Sequence, residues 1–302
     1  MAKTTTINVS NLSKIWGNNH AVDSISFSTH IGEVVGFVGP NGAGKTTTIS
    51  MLLGFIKPTY GIAQIKGMNV TPQSAHSTHG NIGYVAGDME LFDNLRGEQY
   101  LEFLARQYGK NAKQKELIKR LQPKMGQKLK HLSRGNKQKI ALIGALQHQP
   151  KILILDEPTS GLDPLMQETF LSIIREELEQ GASVLMSSHN LAEVASACDR
   201  VMFIKRGKIV TDQPINGLEK ASGKIITITT DHRDTEQMAG HLIDGAELIE
   251  KTPTKLKIRF DGDMRVFVSW LNDRPILDLE VTDRDLDDIF HDLYKDSDEE
   301  TK

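Results

Sequence analysis

The sequence predicts an α/β fold that carries an inserted helical segment and is followed by a small α+β module. Over the first two-thirds of the chain, short apolar runs of strand length alternate with segments of helical periodicity, the pattern of a domain built on a largely parallel sheet. Between Arg96 and Gln149 the alternation stops and the pattern is mostly helical. Near residue 218 the charge balance reverses: residues 1–218 hold 24 Lys and Arg against 18 Asp and Glu, whereas residues 219–302 hold 12 against 21. That reversal coincides with the turn-forming run Asn216 to Lys224 and marks a domain boundary.

The elements follow in order. GEVVGFVG, from Gly32, is a short apolar strand, and KTTTISMLLG then has helical spacing and stops at Gly54. In the helical segment, RGEQYLEFLARQYG places Tyr100, Leu101, Leu104 and Tyr108 on one face. LSRGNKQK, from Leu132, opens a further helix. Ser133 suits its N-cap, Gly135 lets the backbone approach a ligand, and the unpaired N–H groups of a helix start attract an anion. KILILDE is a buried strand, a helix follows around Leu165 to Gln180, and ASVLMSS and RVMFIK are two more strands.

Beyond the boundary, KIITITT is a strand, RDTEQMAGHL a short helix, and AELIEK and KLKIRF a hairpin across the turn at Pro253. MRVFVSWL is a helix, ILDLEV a strand and DRDLDDIFHDLY a closing helix. This β-α-β-β-α-β order resembles a ferredoxin-like module. The expected organisation is a domain over 1–218 with a helical subdomain at about 90–149, an α+β domain over 219–295, and a solvated acidic tail over 296–302.

Composition restricts the functional class. A hydrophobic share of 38% with 25% charged residues suits a soluble globular protein. No apolar run approaches the ~18–20 residues of a membrane span, and MAKTTTINVS lacks the apolar core of a secretory signal. Cys198 is the only cysteine, which leaves no intramolecular disulfide and agrees with a reducing compartment; it reads as a small buried apolar residue.

Two motifs carry chemistry. GPNGAGKT, Gly39 to Thr46, fits G-x-x-x-x-G-K-[ST] in full, between a predicted strand and a predicted helix. The loop and helix start, comprising Gly39, Asn41, Gly42, Ala43, Gly44, Lys45, Thr46 and Thr47, would wrap the phosphates of ATP with backbone N–H groups. Lys45 would bring positive charge to the β and γ phosphates, and Thr46 would offer a hydroxyl to Mg²⁺. ILILDEP, Ile152 to Pro158, ends a buried strand with Asp156 and Glu157 at the edge where ligands collect in open α/β sheets. Asp156 suits a Mg²⁺ role through water, and Glu157 suits a general base that orients the attacking water. Alone, adjacent carboxylates could form a surface turn; the phosphate loop favours the functional reading.

The phosphate loop, LSRGN, LILDEPTSGLDP and SSH come in the order and spacing of ATP-binding-cassette ATPases, which this chain resembles from Ile7 to about Leu218. The resemblance implies that two cassettes face each other head to tail. Ser133 and Gly135 would then touch the γ-phosphate held by a partner cassette, although Arg134 and Asn136 depart from the usual LSGGQ. It further implies a γ-phosphate contact for His189, a link between the two sites for Asp163, and adenine stacking for Trp16, whose alternative is a core tryptophan. IGYVAGDMEL aligns with a loop that carries a glutamine in the family; Gly87 stands there instead, and Asp88 beside it would reach the metal through water.

The resemblance implies an ATPase coupled to a separate transmembrane permease, in a homodimer or paired cassettes, at the cytoplasmic face of the membrane. The missing glutamine and the acidic module point to an exporter of the drug, antibiotic or bacteriocin type. The alternatives are an uptake transporter's ATPase and a soluble cassette protein of translation or DNA repair. From Arg106 to Lys139 there are twelve Lys and Arg against one acidic residue, Glu116. This stretch reads as a solvated helical face, with anionic lipid headgroups as the second reading. Nucleic acid ranks last, because the aromatic interleaving of single-strand binders is missing.

Overall fold

In the computed structural model, residues 4–87, 92–109, 111–188, 191–217, 223–272 and 274–284 are described. The chain divides into two units, Met1–Gln213 and Pro214–Lys302.

The first unit opens with a hairpin. Strands β1 (Thr5–Trp16) and β2 (Asn19–His30) pair antiparallel across a tight turn in which Gly17 takes φ 58°. Strands β4 (Tyr60–Ile65) and β5 (Met68–Asn69) extend this sheet in the order β2-β1-β4-β5. The sequence reading assigned no strands here. Register shifts interrupt the β1–β2 ladder at several points, and Asn11 and Ser24 adopt φ 47° and 53°. Such bulges break the strict two-residue alternation by which a half-buried strand is recognised.

The second sheet holds β3 (Val34–Val38), β6 (Ile82–Val85), β7 (Ile152–Asp156), β8 (Ser183–Ser188), β9 (Arg200–Lys205) and β10 (Lys208–Pro214), in the order β10-β9-β3-β8-β7-β6. β3 lies parallel to β8 and β9, and β7 lies parallel to β6 and β8. Every residue of β3, β7 and β8 is buried, which is why these strands read as continuous apolar runs. Phe37, Ile49, Leu52, Ile65, Ile154, Leu185 and Met202 belong to one core that draws on both sheets. Each such side chain contributes about 1.5–3 kcal/mol when fully buried.

Helix α1 (Lys45–Leu52) follows β3, and the short α2 (His76–His79) precedes β6. Between β6 and β7 come α3 (Gly97–Tyr108), α4 (Gln114–Leu121), a 3-10 turn and α5 (Arg134–Leu146). α6 (Pro164–Glu179) follows β7, and α7 (Leu191–Ala197) follows β8. Two cations of the basic stretch tie α4 and its approach to α6: Lys113 Nζ lies 2.5 Å from Glu177 Oε1, and Arg120 Nη1 lies 2.6 Å from Glu176 Oε2. Part of that stretch is therefore structural rather than a free solvated face. Among the described residues, no helix is long and apolar enough to cross a membrane.

The second unit contains β11 (Lys224–Thr229), α8 (His232–Ala239), β12 (Ala246–Lys251), β13 (Lys255–Phe260), α9 (Met264–Leu271) and β14 (Asp278–Asp283). Its strands run antiparallel in the order β12-β13-β11-β14. Leu256, Ile258 and Phe260 alternate inward along β13 and pack with Ile226, Ile228, Met238, Phe267 and Leu271. The remainder of the closing helix read in DRDLDDIFHDLY, and the acidic tail, lie outside the described residues.

Candidate functional site

The C-terminal ends of β3 and β7 bring two distant segments together. After β3 the chain turns through residues 39–44 into α1, whose N-cap is Gly44 at φ 111° with no side-chain cap. A Cβ at Gly44 would crowd the Ala21 carbonyl oxygen to under 3.0 Å, so glycine is required by both space and backbone. The side chain of Lys45 is turned onto its own loop: Nζ donates to the carbonyls of Gly39 at 2.6 Å and Pro40 at 3.1 Å. Burial pulls the Lys45 pKa down, against the opposing charges of Glu157 and Asp156.

Thr46 Oγ1 donates to Asp156 Oδ2 at 3.2 Å, although 110 residues separate them. The other Asp156 oxygen accepts from the Ser187 hydroxyl on β8, and the residue is 5% exposed. Glu157 follows at φ 48°, the left-handed region, which costs a non-glycine residue on the order of 1 kcal/mol. Its N–H donates to the Ser187 carbonyl and hydroxyl, both at 3.1 Å. β8 thus pins both carboxylate residues at the end of β7. Gly87 borders the same carboxylate: a Cβ there would lie 3.4 Å from Asp156 Cγ and Oδ2. Tyr84 also lies in this field; burial, then the Asp156 charge, push its hydroxyl up to about 12.

A second group forms where the start of α5 packs against the segment that follows β7. Ser133 caps α5, accepting from the Asn136 backbone N–H at 3.4 Å and from Asn136 Nδ2 at 3.1 Å. Asn136 in turn accepts from the Lys124 N–H at 3.0 Å. Gln138, buried one turn further, donates to the Pro158 carbonyl at 2.5 Å, and Gly135 lies against Gly161. Asp163 caps α6 by accepting from the Met166 N–H at 3.0 Å. Trp16, at the end of β1, is 54% exposed, and Lys14 Nζ sits 4.1 Å from its ring centroid.

Lys45, Thr46, Asp156 and Glu157 thus converge, while Ser133, Gly135 and Asp163 gather around the 158–163 segment. His189 and Asp88 lie outside the described residues. Sequence reasoning missed Ser187, Thr159 and Glu193. The two serines of SSH were in view, but their partners sit on other elements.

An ABC transporter family profile matches residues 22–160, and one described as an AAA domain, putative AbiEii toxin, Type IV TA system, matches residues 126–195. The chain is 37% identical over 225 residues to the probable multidrug ABC transporter ATP-binding protein YbhF of Escherichia coli, covering 72% of this chain and 39% of that protein. The chain therefore spans well under half of that relative. It is 30% identical over 297 residues to the uncharacterized ABC transporter ATP-binding protein YhaQ of Bacillus subtilis, covering 94% of this chain and 97% of that one. The SkfA peptide export ATP-binding protein SkfE of Bacillus subtilis is 36% identical over 211 residues, with 68% and 87% covered.

Among solved structures, an ATP binding subunit of an ABC transporter superposes with a TM-score of 0.67 at 27% identity, covering 71% of this chain and 92% of that one. A dimeric, post-hydrolysis ATP-binding cassette, MJ0796 bound to ADP and Pi, superposes at 0.62 with 22% identity, covering 69% and 98%, and shows the fold alone.

Proposed function

The chain belongs to the ABC transporter ATP-binding family, and from that premise we propose that it is the ATP-hydrolysing subunit of a membrane exporter. The observation that carries the reading is the meeting of Thr46 with Asp156 at 3.2 Å, beside Lys45 and Glu157. Among the described residues, no three His, Cys, Asp or Glu side chains converge as a metal cluster. One hydroxyl and one carboxylate fit a Mg²⁺ ion whose remaining ligands are phosphate oxygens and water. When bound, that ion would neutralise charge on the β and γ phosphates.

The side chains divide the remaining work. Lys45 exchanges its two loop carbonyls for phosphate oxygens. Its burial strengthens that attraction, because little water screens it. Glu157 accepts a proton from, or orients, the attacking water. Its strained backbone, held by Ser187, fixes where the carboxylate starts. Ser133 and Gly135 complete the site of a partner cassette, in a homodimer or paired cassettes; Asp163 links the two sites, His189 contacts the γ-phosphate, and Trp16 stacks on adenine with the ring face that Lys14 leaves open.

The name of SkfE, a peptide export ATP-binding protein, favours export, with a permease supplied by another polypeptide. The helical stretch between β6 and β7 is the inserted subdomain, and the segment Arg96 to Lys124 with the loop Gly87 to Leu95 is the docking surface for the permease. The strand order β12-β13-β11-β14 supports a ferredoxin-like reading of the second unit, and the near-complete match to YhaQ supports a shared two-domain plan. The protein works at the cytoplasmic face of the membrane, where the cations outside the α4–α6 ion pairs meet anionic headgroups.

The test is phosphate release by the purified full chain with ATP and Mg²⁺. Turnover that EDTA abolishes and that Glu157→Gln lowers by about 10²–10⁴-fold is expected. Turnover unchanged in that variant contradicts the assignment of the base.

A further inference from the structure

The geometry points to Glu193 as a positioning residue that makes the 159–163 segment and the end of β8 move together. The assignment rests on the proposed ATPase function. Glu193 lies in the first turn of α7 and divides its carboxylate between the turn after β7 and the end of β8. Thr159 Oγ1 donates to Oε1 at 2.7 Å, and Ser188 Oγ donates to Oε2 at 2.8 Å. Both donors are buried, at 7% and 2% exposure. Hydroxyl-to-carboxylate bonds of this length are charge-assisted and roughly twice as strong as neutral ones.

The two donors bear on different parts of the site. Thr159 opens the stretch that leads through Gly161, against which Gly135 packs, to Asp163 at the α6 cap. Ser188 is the chain neighbour of His189. On β8 successive side chains point to opposite sides, and the strand uses both: Ser187 holds Asp156, and Ser188 holds the clamp. A displacement of residues 159–163 therefore pulls one carboxylate oxygen, and the other oxygen carries the pull to Ser188. Asp156 keeps a separate bond, from the Ser187 hydroxyl. One side chain thus couples the partner-facing segment to the residue that precedes His189, without passing the motion through the metal carboxylate.

The test combines kinetics with amide hydrogen exchange on the full chain. Glu193→Ala lowers kcat about tenfold with KM within twofold, because nucleotide grip is untouched while site assembly is impaired. Thr159→Val does the same, and the double variant falls no further, since both remove one link. Glu193→Gln keeps most of the activity, because an amide can accept from one hydroxyl and donate to the other. Without nucleotide, Thr159→Val raises exchange at residues 186–190, across the clamp and far away in sequence.

Additive losses, a KM that rises with the fall in kcat, or unchanged exchange at 186–190 would overturn the coupling. A wild-type chain that does not hydrolyse ATP would instead contradict the proposed function, and the exchange measurement would then decide the clamp by itself.

Discussion

Gly135 packs so closely on Gly161 that a Cβ on the former would fall under 3.0 Å from the carbonyl oxygen of the latter. The start of α5 is thereby docked on the chain that leads out of β7. The obstacle is backbone, which cannot rotate away as a side-chain end would. Gly135→Ala is expected to destabilise the fold by about 1–3 kcal/mol through overpacking and to lower ATP turnover by displacing Ser133. Chemical denaturation and phosphate release check both. A variant as stable and active as the parent would show that the contact is loose.

Glu33 is 7% exposed and bonded to Arg200 at 2.9 Å. Burial by itself pushes its carboxyl up; the Arg200 hydrogen bond and charge, with the His30 bonds, outweigh it and hold the pKa below the ordinary 4.5. A lowered carboxylate pKa stabilises the fold fully above the unfolded value, and that stability is lost as pH falls through the folded value. Arg200→Met should therefore cost about 2 kcal/mol at pH near 7 and distinctly less in acid below the folded pKa. Equal losses at both pH values would contradict the pairing.

The Lys113–Glu177 pair holds the approach to α4 on α6, with side chains 13% and 3% exposed. Removing one member of a buried pair leaves the other charge without compensation. Glu177→Ala is expected to destabilise the first unit by about 3 kcal/mol. A double replacement, Lys113→Met with Glu177→Leu, should recover much of that loss. Denaturation midpoints at constant slope read the difference.

Trp16 offers an exposed ring whose one face is covered by Lys14. Stacking of a base on a ring contributes about 1–3 kcal/mol, and it acts on bound substrate and transition state alike. Trp16→Ala should raise KM for ATP by about five- to a hundredfold with kcat little changed. Quenching of Trp16 fluorescence by added nucleotide, with Trp270 removed by Trp270→Phe, checks the same contact directly. No quenching would place the base elsewhere.

The parts legible in the sequence were those whose physics is local. Val34–Val38 and Ile152–Asp156 are short buried runs between turns, and the loop from Gly39 to Thr46 has residue types that few other structures need. Ser133 could be recognised as a cap because capping acts within one turn. The opening sheet escaped notice because bulges at Val9, Leu12 and Lys14 disrupt its alternation. The roles of Lys113, Arg120 and Glu193 escaped for another reason. Their partners lie 64, 56 and 34 residues away on other elements, so only the folded chain brings them together.

In the proposed dimer, Ser133 and Gly135 of one chain close the nucleotide site of another. The most direct test is sedimentation of Glu157→Gln with ATP and Mg²⁺, with and without Ser133→Arg. A dimer is expected for the single variant. For the double variant the expected species is a monomer that still binds a fluorescent ATP analogue with unchanged affinity. A double variant that dimerises as well as the single one, or a monomer that no longer binds the analogue, would contradict this arrangement.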